Sequence, residues 1–251
     1  MAWFETLNLG KGFQRYFEVA PALTDELKNE VFGIRHRVYC EELGFEPIRP
    51  DRREKDEYDS HSVHLLIRSV VEEGYIGCAR LVLARPGDPY YPLPFERACG
   101  STLDRNLVDP TRVPRSAVAE VSRLAIVNKF RRRKDESRTA DAVAQMSFGT
   151  EERPRFPYIQ VGLYLGIVAL ARRFDIDTLF LLTEPRLATH FAKLGLKVRP
   201  VGAPIEHRGT RVPAMLNVRE IVSGLKFFVR PLFKEIVREI DTAFPKQRTL
   251  H

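Results

Sequence analysis

Two islands of charge break into segments that otherwise read as buried core. The first contains Arg35, Tyr39 and Phe45 and runs on through Glu54, Asp56 and Asp59. The second is Glu120-Val-Ser-Arg123. Charge survives burial mainly when it is paired and hydrogen-bonded. The islands are therefore either an internal lock or the wall of a polar substrate pocket. Strand alternation puts Glu120 and Ser122 on one face, Val121 and Arg123 on the other. A carboxylate in a central strand needs a cation or a substrate amine beside it. Arg80, on the preceding strand, is the candidate ion-pair partner. The catalytic alternative is a carboxylate that orients or deprotonates an attacking amine. Arg35 sits one turn before Tyr39 on a helix that faces the core, so it too needs a carboxylate. The loop at 54–59 is the candidate supplier, with Asp56 and Asp59 three residues apart.

Other chemistries find less support. Cys40 has Glu41 and Glu42 beside it, which raises a thiol pKa, and no G-x-S-x-G elbow is present. Direct attack by a substrate amine on an activated acyl group is more natural than a covalent intermediate. No metal site is expected, because His61 and His64 do not fit an H-E-x-x-H pattern. The basic run Lys129-Phe-Arg131-Arg132-Arg133-Lys134 is either a solvated face or an anion site. No nucleic-acid recognition motif accompanies it, so nucleic acid is not the expected partner.

Periodicity identifies the elements that must position these residues. Leu23, Leu27, Val31, Ile34 and Val38 recur at helical spacing. They predict a helix over 22–42, with Thr24 as N-cap and Gly44 past its end. Residues 46–60 read as an ordered polar loop. Residues 63–71 and 75–83 predict a hairpin around Glu72-Glu-Gly74. Residues 85–117 read as an irregular, proline-rich insertion. A third strand over 118–127 follows, then an apolar buried helix over 156–173 and a strand over 178–182. A helix over 185–194, closed by Gly195, and a last strand over 212–218 complete the order. Interleaved strands and helices predict the α/β class, a central mixed twisted sheet flanked by helices. The tail places Phe228, Leu232, Phe233, Ile236, Val237 and Ile240 on one helical face, with lysines and arginines on the other. Packing on the domain is its first reading; a dimer or membrane-surface helix is the alternative. The expected division is a domain over 1–220 and a C-terminal amphipathic helical appendage over 221–251.

The chain has 251 residues, 44% hydrophobic and 29% charged, enough for a sizeable core. The formal charge of +7 favours an acidic partner. Cys40, Cys78 and Cys99 form no C-x-x-C pair, so neither a zinc knuckle nor a disulfide framework is expected. Without a secretory signal or a membrane-length apolar run, a cytoplasmic location is expected.

Four groups in order carry a resemblance: Arg35-x3-Tyr39-x5-Phe45, Glu54-x-Asp56-x-x-Asp59, Gly77-x-x-Arg80, and Glu120-x-Ser122-Arg123. Over residues 15–220 the chain resembles the LuxI-type acyl-homoserine lactone synthases and the N-acyl amino acid synthases, members of the GNAT acyltransferase superfamily. It is most similar to acyltransferases associated with PEP-CTERM/exosortase systems, which share the pattern Tyr-Cys-Glu-Glu-Leu-Gly-Phe-Glu of 39–46. The resemblance implies a GNAT-like fold and a fatty-acyl thioester donor. That donor is an acyl carrier protein or acyl-CoA, used as co-substrate with no permanently bound cofactor. It implies a primary-amine acceptor. Arg35, Asp56, Asp59, Arg80, Glu120 and Arg123 fall on charged positions of the amine-side pocket, and Tyr39 and Phe45 on its aromatic wall. Position 45 is commonly tryptophan in the lactone synthases, so phenylalanine favours an amino acid acceptor over S-adenosylmethionine.

The expected mechanism follows. Glu120, with Ser122 beside it, removes the amine proton, and the N–H of Ala125 or Ile126 receives the thioester oxygen. Arg35 or Arg123 pairs with the acceptor's carboxylate. Phe174, Leu179 and Phe180 are candidates for an acyl groove. The run from Lys129 through Arg131, Arg132 and Arg133 to Lys134 lacks glycine. It suits docking of an acidic carrier protein and its phosphopantetheine arm better than close wrapping of a pyrophosphate. The expected product is an N-acyl amino acid. Acyl-homoserine lactone synthesis is the alternative, and a non-catalytic module binding an acyl carrier or a membrane is the further one.

Overall fold

The structure is a computed structural model that describes residues 9–109, 112–131, 157–184, 191–192 and 194–245. It opens with a short helix, α1 (Leu9–Gln14), and an edge strand, β1 (Phe17–Pro21). Neither was expected, because five or six residues are too few for periodicity to register. The next helix, α2 (Asp25–Arg35), is capped by Thr24, whose hydroxyl accepts from the Leu27 N–H at 3.3 Å. It continues as one π-helical segment over His36–Glu42 and stops before Gly44, which has a φ of 63°.

The predicted hairpin forms as β2 (Ser62–Ser69) and β3 (Gly74–Val82). A short helix, α3 (Pro94–Cys99), sits inside the proline-rich insertion. Strand β4 (Val118–Ile126) pairs antiparallel with β3. The step to β5 (Thr178–Thr183) is parallel, so it needs a crossover. Helix α4 (Tyr158–Arg173) supplies it, and 11 of its 16 residues are buried because it crosses the sheet between other layers. Gly166 allows that approach: a Cβ there would meet Leu65 Cδ2 at 2.3 Å. Short strands β6 (Arg199–Pro200) and β7 (Ile205–Glu206) both pair with β8 (Thr210–Asn217). The sheet is mixed and eight-stranded, in the order β1-β2-β3-β4-β5-β8-β6 with β7 on β8, as the α/β reading requires. The helix expected over 185–194 falls largely outside the described residues; Gly195 itself has a φ of 93°.

Two last helices, α5 (Val218–Gly224) and α6 (Arg230–Ala243), end the described chain. Leu232, Phe233, Ile236 and Ile240 of α6 are buried in the same core as the sheet and α4. Glu239 also accepts from the Val19 N–H of edge strand β1 at 2.9 Å. The apolar face of the tail helix is thus turned to the domain. Four such side chains contribute about 6–12 kcal/mol of burial, comparable to the whole stability of a domain. Truncation after residue 220 is expected to abolish cooperative thermal unfolding, measured by circular dichroism. A truncated chain that melts as sharply as the full one would contradict this packing. Among the described residues, no helix is long and apolar enough to cross a membrane.

Candidate active site

The site is organised by two irregularities that no periodicity announces. The π-helical segment is the first. It turns Tyr39 so that its hydroxyl donates to the Leu124 carbonyl at 2.7 Å. The second is a bulge in β4: Cys78 faces Ala125 and Arg80 faces Ser122, so β4 has one residue more than β3 between these pairs. Arg123 takes up the extra residue with a φ of 51°, a left-handed conformation that costs about 1–2 kcal/mol for a residue with a Cβ. Strict alternation separates Arg123 from Ser122. The bulge instead brings both to one cluster, because Arg80 Nε donates to Ser122 Oγ at 3.1 Å while Arg80 and Arg123 both bind Asp56.

That cluster unites the two charged islands. Arg35 donates to Glu54 at 2.5 Å and to Asp59 at 2.6 Å. Arg80 donates to Asp56 at 2.5 Å and to Asp59 at 2.8 Å. Arg123 reaches Asp56 at 3.0 Å and Glu54 at 3.4 Å. A one-turn 3-10 helix over Glu57–His61 holds the acidic loop, with Asp56 and Asp59 forming a reciprocal capping box. Burial alone would raise the carboxyl pKa values of Glu54, Asp56 and Asp59, but the arginines outweigh it and hold all three below the usual carboxylate range. Burial likewise opposes the charge on Arg35 and is outweighed by Glu54 and Asp59. Three arginines meet three carboxylates, so the cluster carries no surplus charge.

Glu120 stands outside this balance. Its expected ion pair with Arg80 is replaced: Arg80 is engaged by Asp56, Asp59 and Ser122, and Glu120 Oε2 accepts from the Phe95 N–H at 2.7 Å. Burial raises its pKa to about 8, and the Phe95 N–H only partly offsets this. A carboxyl poised there can take up or release a proton near neutral pH.

The reason for a cavity beside Glu120 is topological. The β4–β5 ladder ends at the pair Glu120 and Phe180, and the strands part beyond it. A cavity of ≈ 500 Å³ opens in the wedge. Its polar end is lined by Tyr39, Asp56, Arg80, Glu120, Ser122 and Arg123, and its apolar end includes Ile167, Val168, Leu179, Leu181 and Leu216. Other expected residues lie elsewhere. Arg35 and Asp59 are behind the wall, and Phe45 lies outside it, under the Arg208 guanidinium at 5.8 Å. Ala125 and Ile126 are buried opposite Cys78 and Gly77 and do not line the cavity. Of the three apolar candidates, only Leu179 lines it. Phe174 lies beside Phe244 at the far end of α4, and Phe180 stacks on Phe95 at 4.4 Å.

Lys129 and Arg131 do not line the cavity either, and both already have partners, Glu72 and Glu42. Arg132, Arg133 and Lys134 lie outside the described residues. Tyr58, Arg97, His207 and Arg208 also line the cavity and were missed. Tyr58 was inside the acidic motif, a usable signal; Arg97 sat in a stretch with no pattern. The three cysteines are free and buried, and burial pushes Cys78 up to about 12, which disfavours a thiolate nucleophile. Among the described residues, no group of His, Cys, Asp and Glu side chains is placed to hold a metal ion.

The mixed sheet thus parts between β4 and β5, and the cavity lies in the gap. Residues 34–139 match the family described as Acetyltransferase (GNAT) domain. The chain is 28% identical over 214 residues to an acyl-homoserine-lactone synthase of Aeromonas salmonicida, covering 84% of this chain and 85% of that one. Its fold matches BjaI, a CoA-dependent acyl-homoserine lactone synthase solved with SAM and isopentyl-CoA, with a TM-score of 0.56 and 18% identity. That match covers 89% of each chain. It also matches FeeM, an N-acyl amino acid synthase from uncultured soil microbes, with a TM-score of 0.54, 14% identity, and 83% and 94% of the two chains covered.

Proposed function

We propose that the protein transfers a fatty acyl group from a thioester to the primary amine of an amino acid, giving an N-acyl amino acid. The observation that carries this reading is Glu120, a buried carboxyl of raised pKa where a polar wall meets an apolar cavity. The acyl chain occupies the apolar wedge between β4 and β5. Glu120 takes the proton from the acceptor's ammonium, directly or through a water. The freed amine attacks the thioester carbon, the C–N bond forms and the C–S bond breaks; the thiolate leaves with the proton that the attacking nitrogen sheds, and Glu120 passes the ammonium's proton to solvent. Main-chain N–H groups of β4 between Val121 and Leu124 are better placed for the oxyanion than those of Ala125 and Ile126, because these residues line the cavity.

The donor is an acyl carrier protein or acyl-CoA. The basic run favours an acidic carrier, with the burden on residues 132–134 because Lys129 and Arg131 are already paired. Acyl-homoserine lactone synthesis is the second reading, favoured by the similarity to the Aeromonas synthase. Mass spectrometry of organic extracts from cells expressing the protein and its Glu120→Gln variant separates the two. N-acyl amino acids present only with the unaltered protein support the first reading. Homoserine lactones in their place support the second, and no acylated product from either chain counts against both.

A further inference from the structure

The arginines expected to hold the acceptor's carboxylate are already engaged by carboxylates of the charged cluster, although Arg123 Nε itself has no hydrogen-bond partner. Arg35 is fully buried, does not line the cavity, and is bound by Glu54 and Asp59. Arg123 lines the cavity but is bound by Asp56, and Arg80 by Asp56 and Asp59. Arg208 is taken by Glu46. A new carboxylate at any of these would have to share the arginine with a carboxylate no more than 23% exposed, and weakening such a pair costs free energy.

Arg97 is different. It lines the same cavity from α3, the helix whose Phe95 N–H holds Glu120. Its partner is Glu57 at 2.6 Å, and their side chains are 45% and 55% exposed. Such surface pairs are worth about 0–1 kcal/mol and exchange readily. Its guanidinium is nevertheless positioned, lying 4.7 Å from the Tyr91 ring centroid and 5.5 Å from that of Tyr58.

Tyr58 supplies a second, independent sign. It is 7% exposed and lines the cavity, yet its hydroxyl is buried without a hydrogen-bond partner. Buried hydroxyls are normally satisfied, and an orphan in a substrate cavity is a donor awaiting an acceptor. The hydroxyl stays protonated, since burial pushes the Tyr58 pKa up to about 12.

We propose that Arg97 and Tyr58 form the seat for the acceptor's α-carboxylate and thereby make the protein select amino acids over simple amines. The inference rests on the acyltransferase reading above. Arg97 supplies the charge, Tyr58 Oη a hydrogen bond, and Glu120 receives the proton of the neighbouring ammonium. The seat serves any acceptor with a free α-carboxylate, whatever its side chain.

The test uses the full-length chain with a medium-chain acyl thioester, on CoA and on a carrier protein. The acceptors are proteinogenic amino acids, each paired with its own α-carboxamide. The unaltered protein is expected to prefer the acid over the amide. Arg97→Gln should lower the ratio of kcat/KM for acid over amide by about ten- to a hundredfold, the worth of a hydrogen bond to a charged group, chiefly through the acceptor KM. Tyr58→Phe should lower the same ratio by about tenfold without lowering the Tm, because the hydroxyl has no partner to lose. Normal turnover with an unchanged ratio in Arg97→Gln overturns the seat and leaves the acyltransferase standing. A lowered Tm in Tyr58→Phe, with the ratio intact, overturns the assignment of its hydroxyl. If the unaltered protein acylates neither acids nor amides, the amino acid acceptor reading fails and the seat fails with it.

Discussion

Glu120→Gln is expected to reduce acyl transfer by about 10²–10⁴-fold, the usual contribution of a positioned general base, while leaving acyl-donor binding in place. The pH profile carries the same assignment. A base whose pKa is raised to about 8 by burial is mostly protonated below that value. Turnover should therefore climb as pH rises toward about 8 and then level off. Stability should move the other way. The ordinary carboxyl value is 4.5 and the folded value about 8. Between them the folded chain holds a proton that the unfolded chain has released, so stability falls as pH rises through this window. Glutamine cannot ionise. The variant's Tm should match that of the parent near pH 4 and exceed it increasingly up to pH 8. A variant that keeps its turnover, or a Tm difference that does not vary with pH, would remove Glu120 from this role.

Arg35→Met is expected to be the most destabilising single change in the site, by about 3–5 kcal/mol, because it removes the nearest cation from two buried carboxylates. Against a total of about 5–15 kcal/mol, that lowers the Tm severely. Arg35 donates to Glu54 at 2.5 Å, and both side chains are no more than 1% exposed. The double variant Arg35→Met/Glu54→Leu should therefore regain part of the loss, since Asp59 still keeps Arg80 at 2.8 Å. Urea melts of both single variants and the double give the coupling directly. Purely additive losses would mean the pair is not a unit. Acid should act on the same lock. Glu54, Asp56 and Asp59 are held below the usual carboxylate range in the fold. Their contribution is present above the unfolded values, near 4, and is lost as pH falls through the lower folded values. Arg35→Met should flatten that acid limb. The contrast with Glu120 is informative: one charged residue is expected to matter for rate, the other for folding.

The sequence determined which segments become strands and helices wherever the chain repeats its pattern for long enough. The hairpin of β2 and β3, strand β4, the buried helix α4 and the Thr24-capped helix α2 all follow from alternation, helical spacing and capping residues. It also determined that Arg35 must meet the acidic loop, because a core-facing arginine has few other ways to keep its charge. Elements of five or six residues, α1 and β1, stayed hidden for want of length.

Only the tertiary structure decided how the charged residues divide the work. Spacing identifies residues that share a face, but the bulge at Arg123 and the π-helical turn at Tyr39 each shift that count. They arise where the chain is held by long-range partners: Asp56 for Arg123, and the Leu124 carbonyl for Tyr39. The same holds for Glu120, whose partner is a main-chain N–H from an insertion without pattern. Arg97 comes from that insertion too, and its stacking on Tyr91 and Tyr58 has no trace in local spacing. Local propensity acts over a few residues, whereas charge pairing and burial are settled between segments tens of residues apart. The elements were therefore legible in the chain, and the partners of Glu120, Arg123 and Arg97 were not.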